Sequence, residues 1–419
     1  MGGQTLQTDI AIIGGGIAGL WALNQLRNSG YSAVLFEQKA LGSDQTIGSQ
    51  GMIHGGIKYA LAGTWNGGSE TIAAMPAVWR SCLAGKGKVD LSACRVLSED
   101  FYLWSTAGLH SRLTSFFASK MLRGRVEKLQ AADFPTPLQS PAFSGQVYRL
   151  VDLVLDVPSL VQTLATQHRE TIFSIDWNNA SLQNNAGRAT LELPHCSVVP
   201  ERLLLTAGAG NQALIAQLGG SSPAMQLRPL QQVLVKHQYT QGFFAHCMGA
   251  NASPRLTISS HVTRRGEPVW YLGGDLATQG VNNTQQQLID KAQRELRELL
   301  PWIELGQTQW RTLTLDRAEP RQSALLRPDS AFVGKVDSVD NTLAAWPTKL
   351  TLCPHLGDEL QRQLDDQNIR PRHQPDLSLL AHLGQPPIAA PLWDTLFQCV
   401  GCERLATLDS KSAPWAWAR

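Results

Sequence analysis

The chain has 419 residues, 43 % of them hydrophobic and 17 % charged, with 36 Lys+Arg against 34 Asp+Glu for a formal charge of +2. That length accommodates two or three cored domains, and the composition excludes a disordered chain and a long charged coiled coil. The balanced charge gives no bulk attraction to nucleic acid or to an anionic membrane.

The first predicted element is the apolar, β-branched run Asp9-Ile10-Ala11-Ile12-Ile13, the pattern of a buried parallel strand. Gly14-Gly15-Gly16-Ile17-Ala18-Gly19 follows and satisfies G-x-G-x-x-G at 14, 16 and 19. Leu20, Leu23 and Leu26 then recur at near-helical spacing until Gly30 ends the helix. Residues 32–36 form a second strand with Glu37 at its end. Each part has a physical role in gripping a dinucleotide. Gly14 permits the tight turn, Gly16 lets the backbone approach a pyrophosphate, and Gly19 lets helix and strand pack closely. The helix N-terminus, with Ile17 and Ala18, offers N–H groups and partial positive charge. Glu37 lies where a carboxylate bonds ribose hydroxyls and disfavours a 2′-phosphate, with Gln38 and Lys39 beside it.

Residues 46–59 (TIGSQGMIHGGIKY) choose between flavin and nicotinamide. This stretch resembles the flavin-covering segment of the D-amino-acid oxidase superfamily. Its wording is closest to the I-H-G-G-L-R-Y of FAD-dependent glycerol-3-phosphate dehydrogenases and is also similar to the G-V-I-H-A-G-I of 2-hydroxyglutarate dehydrogenases. The resemblance implies that Thr46, Ser49, Gln50, Gly51 and Met52 pass the pyrophosphate and lie against the flavin ring. Bare glycine backbone suits such an approach. Three later segments look like the same family in the same order. Residues 151–168 resemble its linker and helix back into the nucleotide domain, and residues 202–210 resemble its late strand ending in Ala207-Gly208 beside the cofactor. Residues 347–352 (PTKLTL) resemble the G-G-K-L-T-T that opens its last helix, placing Leu350 and Thr351 at the flavin edge. Pro347 and Thr348 stand here in place of the two glycines.

A rival reading takes Gly208-Ala209-Gly210-Asn211-Gln212-Ala213 as a second G-x-G-x-x-A grip for NAD. It needs a further strand and an acid, and residues 226–232 (QLRPLQQ) carry neither signal.

Strands are also expected at 233–237 and 268–274, with an amphipathic helix over 283–300 whose apolar stripe includes Leu288, Ala292 and Leu296. Residues 310–317 (WRTLTLDR) look like the family's tryptophan-containing strand running into an arginine, and 327–334 like its P-D-x-x-P-x-I-G. The aromatic runs 101–104 and 116–117 are expected in the core. The expected fold is therefore α/β: a discontinuous Rossmann-like FAD-binding domain (1–77, 149–215 and 313–395) plus an α+β substrate domain (78–148 and 216–312) with a mixed, largely antiparallel sheet. Residues 396–419 form a C-terminal tail.

The resemblance, in the glycine oxidase and glycerol-3-phosphate dehydrogenase direction with a glutathione-reductase-type FAD domain, implies noncovalent FAD. It further implies oxidation of a small anionic amine, amino acid, 2-hydroxy acid or polyol phosphate by hydride transfer to flavin N5. An anionic substrate needs a planar arginine fork. Arg317 is the first choice and Arg321 the competitor; the bland alternative for either is an ion pair with Glu319 or Asp316. His54 can serve as base, flavin contact or covalent link. Lys349 is a flavin or substrate contact or a solvated helix-start lysine, and Tyr271 and His261 are weaker substrate-side candidates. Two other readings are a FAD-binding scaffold or sensor without turnover and an NAD(P)H-dependent flavin monooxygenase.

Cys399 and Cys402 form a C-x-x-C without a thioredoxin-like or zinc-ligand setting, and no metal site is expected. Seven scattered cysteines make no disulfide framework, and neither a signal peptide nor a membrane-spanning run is present. A cytoplasmic monomer or small homo-oligomer is expected, with a small-molecule substrate, no nucleic acid, and oxygen, quinone or a protein as electron acceptor.

Overall fold

The structure, a computed structural model, describes residues 4–56, 67–106, 126–249, 251, 253–321 and 330–397. Lys58, Tyr59, the 116–117 pair, residues 327–329 of the 327–334 motif, Cys399, Cys402 and the Trp415-Ala416-Trp417 tail lie outside the described residues.

The first three elements are β1 (Gln4–Ile13), α1 (Ile17–Asn28) and β2 (Ala33–Glu37). β1 lies inside an eight-stranded sheet, parallel to β2 on one side and to Cys196–Leu205 on the other. Cys196–Leu205 continues in parallel to Thr342–Trp346, and β2 to Ile172–Ser174. Ile10 to Ile13 are buried because both faces are covered. One face carries α1, Val157–Gln167 and Cys353–Asp366; the other packs on Leu203, Leu205, Leu214 and Trp346. The parallel strands therefore end together near Ile13, Glu37, Leu205 and Trp346, the edge where open α/β sheets bind ligands.

A second eight-stranded sheet runs in the order Gln309–Pro320, Met225–Lys236, Pro268–Gly273, Pro254–Val262, Ala245–Met248, Phe101–Ser105, Gln146–Leu150 and Val126–Lys128. All neighbours are antiparallel except Ala245–Met248 with Phe101–Ser105, so the sheet is mixed and largely antiparallel. One face buries Val233, Val235, Trp270 and Leu272 under the helix Gln285–Leu299. That helix begins at a capping box of Thr284 and Gln287 and presents Leu288, Ala292, Leu296 and Leu299 to the sheet. Phe101, Leu103 and Trp104 are buried, as expected of core aromatics. A small sheet of Met52–Ile53, Leu153–Leu155 and Val96–Ser98 completes the β structure.

One segment differs from its sequence expectation. Residues 226–232 belong to the 12-residue strand Met225–Lys236, although Pro229 and four Gln or Arg residues obscure it. This strand follows the helix Asn211–Gln217 yet pairs antiparallel in the second sheet. The 208–213 turn therefore opens no second parallel βαβ unit, and the rival nucleotide grip is not formed.

The other face of the second sheet buries Leu234, Val269 and Tyr271 beneath the helix Leu392–Phe397. The His261 ring stacks on Trp393 with centroids 4.2 Å apart. Burial holds His261 down at about 3 and His237 at about 4, against an ordinary 6.5. Both are neutral when folded at pH 5 but bind protons when unfolded, so their contribution is intact above 6.5 and is lost as pH falls towards the folded values. Between pH 6.5 and 5 each is expected to cost about 1.4 kcal/mol of stability per pH unit. Urea unfolding across that range should show the decline, and His261→Gln should flatten its slope.

Candidate active site

The glycine turn divides its labour between packing and openness. Gly14 has φ +111°, donates its N–H to the Phe36 carbonyl at 2.9 Å, and would place a Cβ 2.6 Å from Ala207 Cα. A Cβ on Gly19 would overlap the Gly14 carbonyl oxygen, so α1 is seated directly on the turn. Thr206 secures the same edge, its hydroxyl donating to the Ile13 and Gly14 carbonyls. Gly16 is different. Among the described residues, the only neighbour of a Cβ there would be Thr46 Oγ1, at 3.4 Å. Gly208, at φ +58°, would meet nothing within 4 Å.

α1 has no acidic residue in its first turn and no side-chain cap from Gly16. The Ile17 N–H donates to Thr46 Oγ1 at 3.0 Å, and among the described residues the N–H groups of Gly16, Ala18 and Gly19 find no protein acceptor. Uncapped donors at the positive end of a helix, beside two glycines facing open space, fit a diphosphate. The residues present therefore suit FAD.

Glu37 is buried, and each carboxylate oxygen accepts one backbone N–H, from Gly15 at 2.6 Å and from Lys39 at 2.7 Å. Burial nevertheless pushes its pKa up, against the lowering effect of these two bonds. A carboxylate has about four acceptor positions, so capacity remains for ribose hydroxyls. Gln38 and Lys39 are exposed, and Lys39 pairs with Asp44 at 3.5 Å.

Gly51 has a packing requirement beside the close approach to a ring expected from its sequence context. At φ +76°, a Cβ there would overlap the Leu155 carbonyl oxygen where the cover segment crosses Leu153–Leu155. Ser49 accepts the Gly51 N–H at 3.2 Å, and half-buried Met52 pairs with Val154. The His54 N–H then donates to Thr351 Oγ1 at 3.1 Å, and the Gly55 N–H to Asp152 Oδ1 at 2.7 Å. The helix Cys353–Asp366 thus meets the cover segment, through its entry turn, at His54. Its entry is a turn, Leu350–Leu352, preceded by half-buried Lys349. Thr348 has φ +62°, a left-handed conformation that disfavours a β-branched residue. Its hydroxyl donates to the Ser330 carbonyl at 3.2 Å.

Tyr271 ties the cover segment to the second sheet. It is fully buried; its hydroxyl donates to the Gly48 carbonyl at 2.8 Å and lies 2.7 Å from Gln232 Oε1. Its own carbonyl accepts from Gln50 Nε2 at 2.7 Å, and that amide also donates to Ser259 Oγ at 3.2 Å. Ser259 in turn lies 3.0 Å from His261 Nε2. Burial raises the Tyr271 pKa far above its usual range, so the phenol stays protonated as a strut.

The two candidate arginines sit at the end of Gln309–Pro320. Neither makes the ion pair of the alternative reading. Glu319 is buried and pairs with Arg228 instead, also accepting from Gln226 Nε2 at 3.0 Å. Among the described residues, Arg317 and Arg321 make no ion pair; Arg317 is half-buried and Arg321 exposed. The Ala318 N–H donates to Gln45 Oε1 at 3.1 Å, which holds this strand end against the cover segment. Gln45, Gln232, Ser259 and Arg228 carry no motif that marks them in sequence, and Asp152 and Thr206 lie in family-like segments that do not single them out. They become visible only through their long-range partners.

Comparison with known proteins agrees with this geometry. The family model described as FAD dependent oxidoreductase matches residues 9–344. A probable FAD-dependent oxidoreductase of Pseudomonas aeruginosa is 47 % identical over 395 residues, covering 94 % of this chain and 99 % of that protein. The crystal structure of the FAD dependent oxidoreductase from that organism is similar with TM-score 0.81 at 42 % identity, over 94 % of this chain and 99 % of the other. Glycine oxidase from Geobacillus kaustophilus shares the fold, with TM-score 0.63 at 15 % identity over 89 % and 97 % of the two chains. The chain belongs to the D-amino-acid oxidase family of FAD-dependent oxidoreductases.

Gly19→Ala is expected to destabilise the FAD-free protein by about 2–3 kcal/mol through overpacking. Gly16→Ala should change that stability by under about 1 kcal/mol while weakening FAD binding tenfold or more, because its Cβ enters the open side. Urea unfolding and FAD titration of the two variants measure the contrast. Thr348→Gly should raise stability by about 1 kcal/mol, as relief of the left-handed strain exceeds glycine's unfolded-state entropy. A thermal melt of that variant provides the check.

Proposed function

We propose that this FAD-dependent oxidoreductase oxidises a small anionic amine, amino acid, 2-hydroxy acid or polyol phosphate at the carbon bearing nitrogen or oxygen. The observation that supports this most is the positive charge gathered at one strand end. Arg228 and Arg317 are cross-strand partners and Arg321 follows the same strand end, while Glu319, a carboxylate among the described residues there, is bonded to Arg228 and Gln226. Bound FAD supplies the two-electron acceptor.

In this reading Arg321 holds the substrate anion. Its exposed guanidinium follows the strand that Gln45 holds against the cover segment, and its backbone N–H is anchored to Ala224 O at 2.8 Å. A planar fork suits a carboxylate or phosphate. His54, set by the Thr351 bond to its backbone, takes the proton leaving the substrate's nitrogen or oxygen, and Lys349 orients the opposite side. Gly14, Gly16, Ile17, Ala18, Gly19, Glu37, Thr46, Ala207 and Gly208 form the cofactor cradle, with FAD held noncovalently. No helix among the described residues is long and apolar enough to cross a membrane.

Anaerobic mixing with amino acids, amines, hydroxy acids and glycerol phosphate tests the reading: one anionic class should bleach the flavin, and Arg321→Gln should raise its KM at least tenfold with a smaller change in kcat. Acid precipitation should leave the colour in the supernatant. Bleaching by NADH or NADPH alone would instead indicate a monooxygenase, and no bleaching by any of these donors a scaffold.

A further inference from the structure

We infer that Arg317 binds the phosphate groups of FAD and is not a substrate clamp. The argument begins with register. Arg228 and Arg317 are direct cross-strand partners, so both side chains rise from one face, where like charges opposite each other repel. The neighbouring carboxylate, Glu319, is engaged by Arg228 and Gln226. Arg317 is left half-buried, its Nε 3.4 Å from the Arg228 carbonyl, with no counter-ion among the described residues. A partly desolvated guanidinium without an anion is costly, and the cost falls when an anion arrives.

Its position indicates which anion. Leu315 shares the face of Arg317 by strand alternation and packs against Gly48, where a Cβ would lie 3.1 Å from a Leu315 methyl. The next residue, Ala318, donates its N–H to Gln45 Oε1. Arg317 thus emerges beside the 45–48 turn, on the Leu315 face of its strand. That turn also carries Thr46, whose hydroxyl accepts the Ile17 N–H at the start of α1, in the glycine grip. A cation without a counter-ion among the described residues and a helix N-terminus are therefore joined through one short turn, a combination that suits phosphate. The inference rests on FAD occupying that grip and is independent of which substrate is oxidised.

The full-length protein, with its FAD removed and restored, provides the test, with FAD, ADP and riboflavin as probes followed by fluorescence. Arg317→Gln should weaken FAD and ADP 10- to 100-fold and leave riboflavin within twofold, with Arg317→Lys intermediate. Arg228→Gln should weaken FAD and ADP in the same direction, because Glu319 is then free to capture Arg317. Arg321→Gln should leave all three probes unchanged. Should Arg317→Gln fail to fold, the Arg228→Gln and Arg317→Lys results decide. Unchanged FAD and ADP affinity in the Arg317 variants would overturn the inference, as would equal weakening of riboflavin. Unchanged ADP affinity in the Arg317 variants together with a raised KM for the donor that bleaches the flavin would return Arg317 to the substrate.

Discussion

The seating of α1 on the end of β1 is the constraint on which the rest of the molecule depends. Gly19 lies so close to the Gly14 carbonyl that no side chain fits between them, and Gly14 itself presses on Ala207 from the adjacent parallel strand. The turn, the helix that follows it and a strand end about 190 residues away are locked at one point, by close backbone contact and by the Thr206 hydroxyl. The consequence is chemical as well as mechanical. Helix, turn and strand end are close enough for the uncapped N–H groups of α1 to face the same space as Gly16 and Gly208. Had Gly19 carried a side chain, the helix would stand off, and its partial positive charge would weaken with distance at the place where diphosphate charge must be met.

Polar contacts made by buried and half-buried groups couple the second sheet to this grip. Tyr271 binds Gly48 through its hydroxyl and Gln50 through its carbonyl, so one residue holds the cover segment at two points. Ala318 holds it at a third, through Gln45. Burial makes these bonds consequential, because a lost partner would leave a desolvated polar group behind. The antiparallel sheet can thereby register its strand end against the nucleotide edge without sharing a single strand with the parallel sheet.

Much of this was legible in sequence where the determinants are local. The 9–13 run, the spaced glycines, the helical leucines and Glu37 follow one another within thirty residues, and each obeys a rule of backbone or helix physics. Met225–Lys236 was only half legible. Its first part carries Pro229 among glutamines and arginines, and its strand character comes from pairing with Gln309–Pro320. Gly51 was recognised as a required glycine for an incomplete reason: the Leu155 carbonyl crowds it, a contact a hundred residues away. Arg317 and Glu319 look like ion-pair partners in sequence, but register brings Arg228 to Glu319 first. Pairings of this kind are set by topology, which local patterns do not encode.

Thr348 shows how a turn can impose a conformation its own residue disfavours. A left-handed backbone costs glycine little; here the residue with that φ is threonine. Neighbouring contacts over-determine the turn: Trp346 Nε1 donates to the Gly208 carbonyl at 3.0 Å, and the Trp79 indole donates to the Thr351 carbonyl at 2.9 Å. With both flanks fixed, the intervening residues have no freedom to relax. Local strain persists only when the surroundings impose it, and these surroundings are the strand end beside Gly208 and the helix entry beside His54. The backbone path from the strand end beside Gly208 to the helix entry beside His54 is therefore dictated by the fold, and the side chain at 348 is accommodated within it.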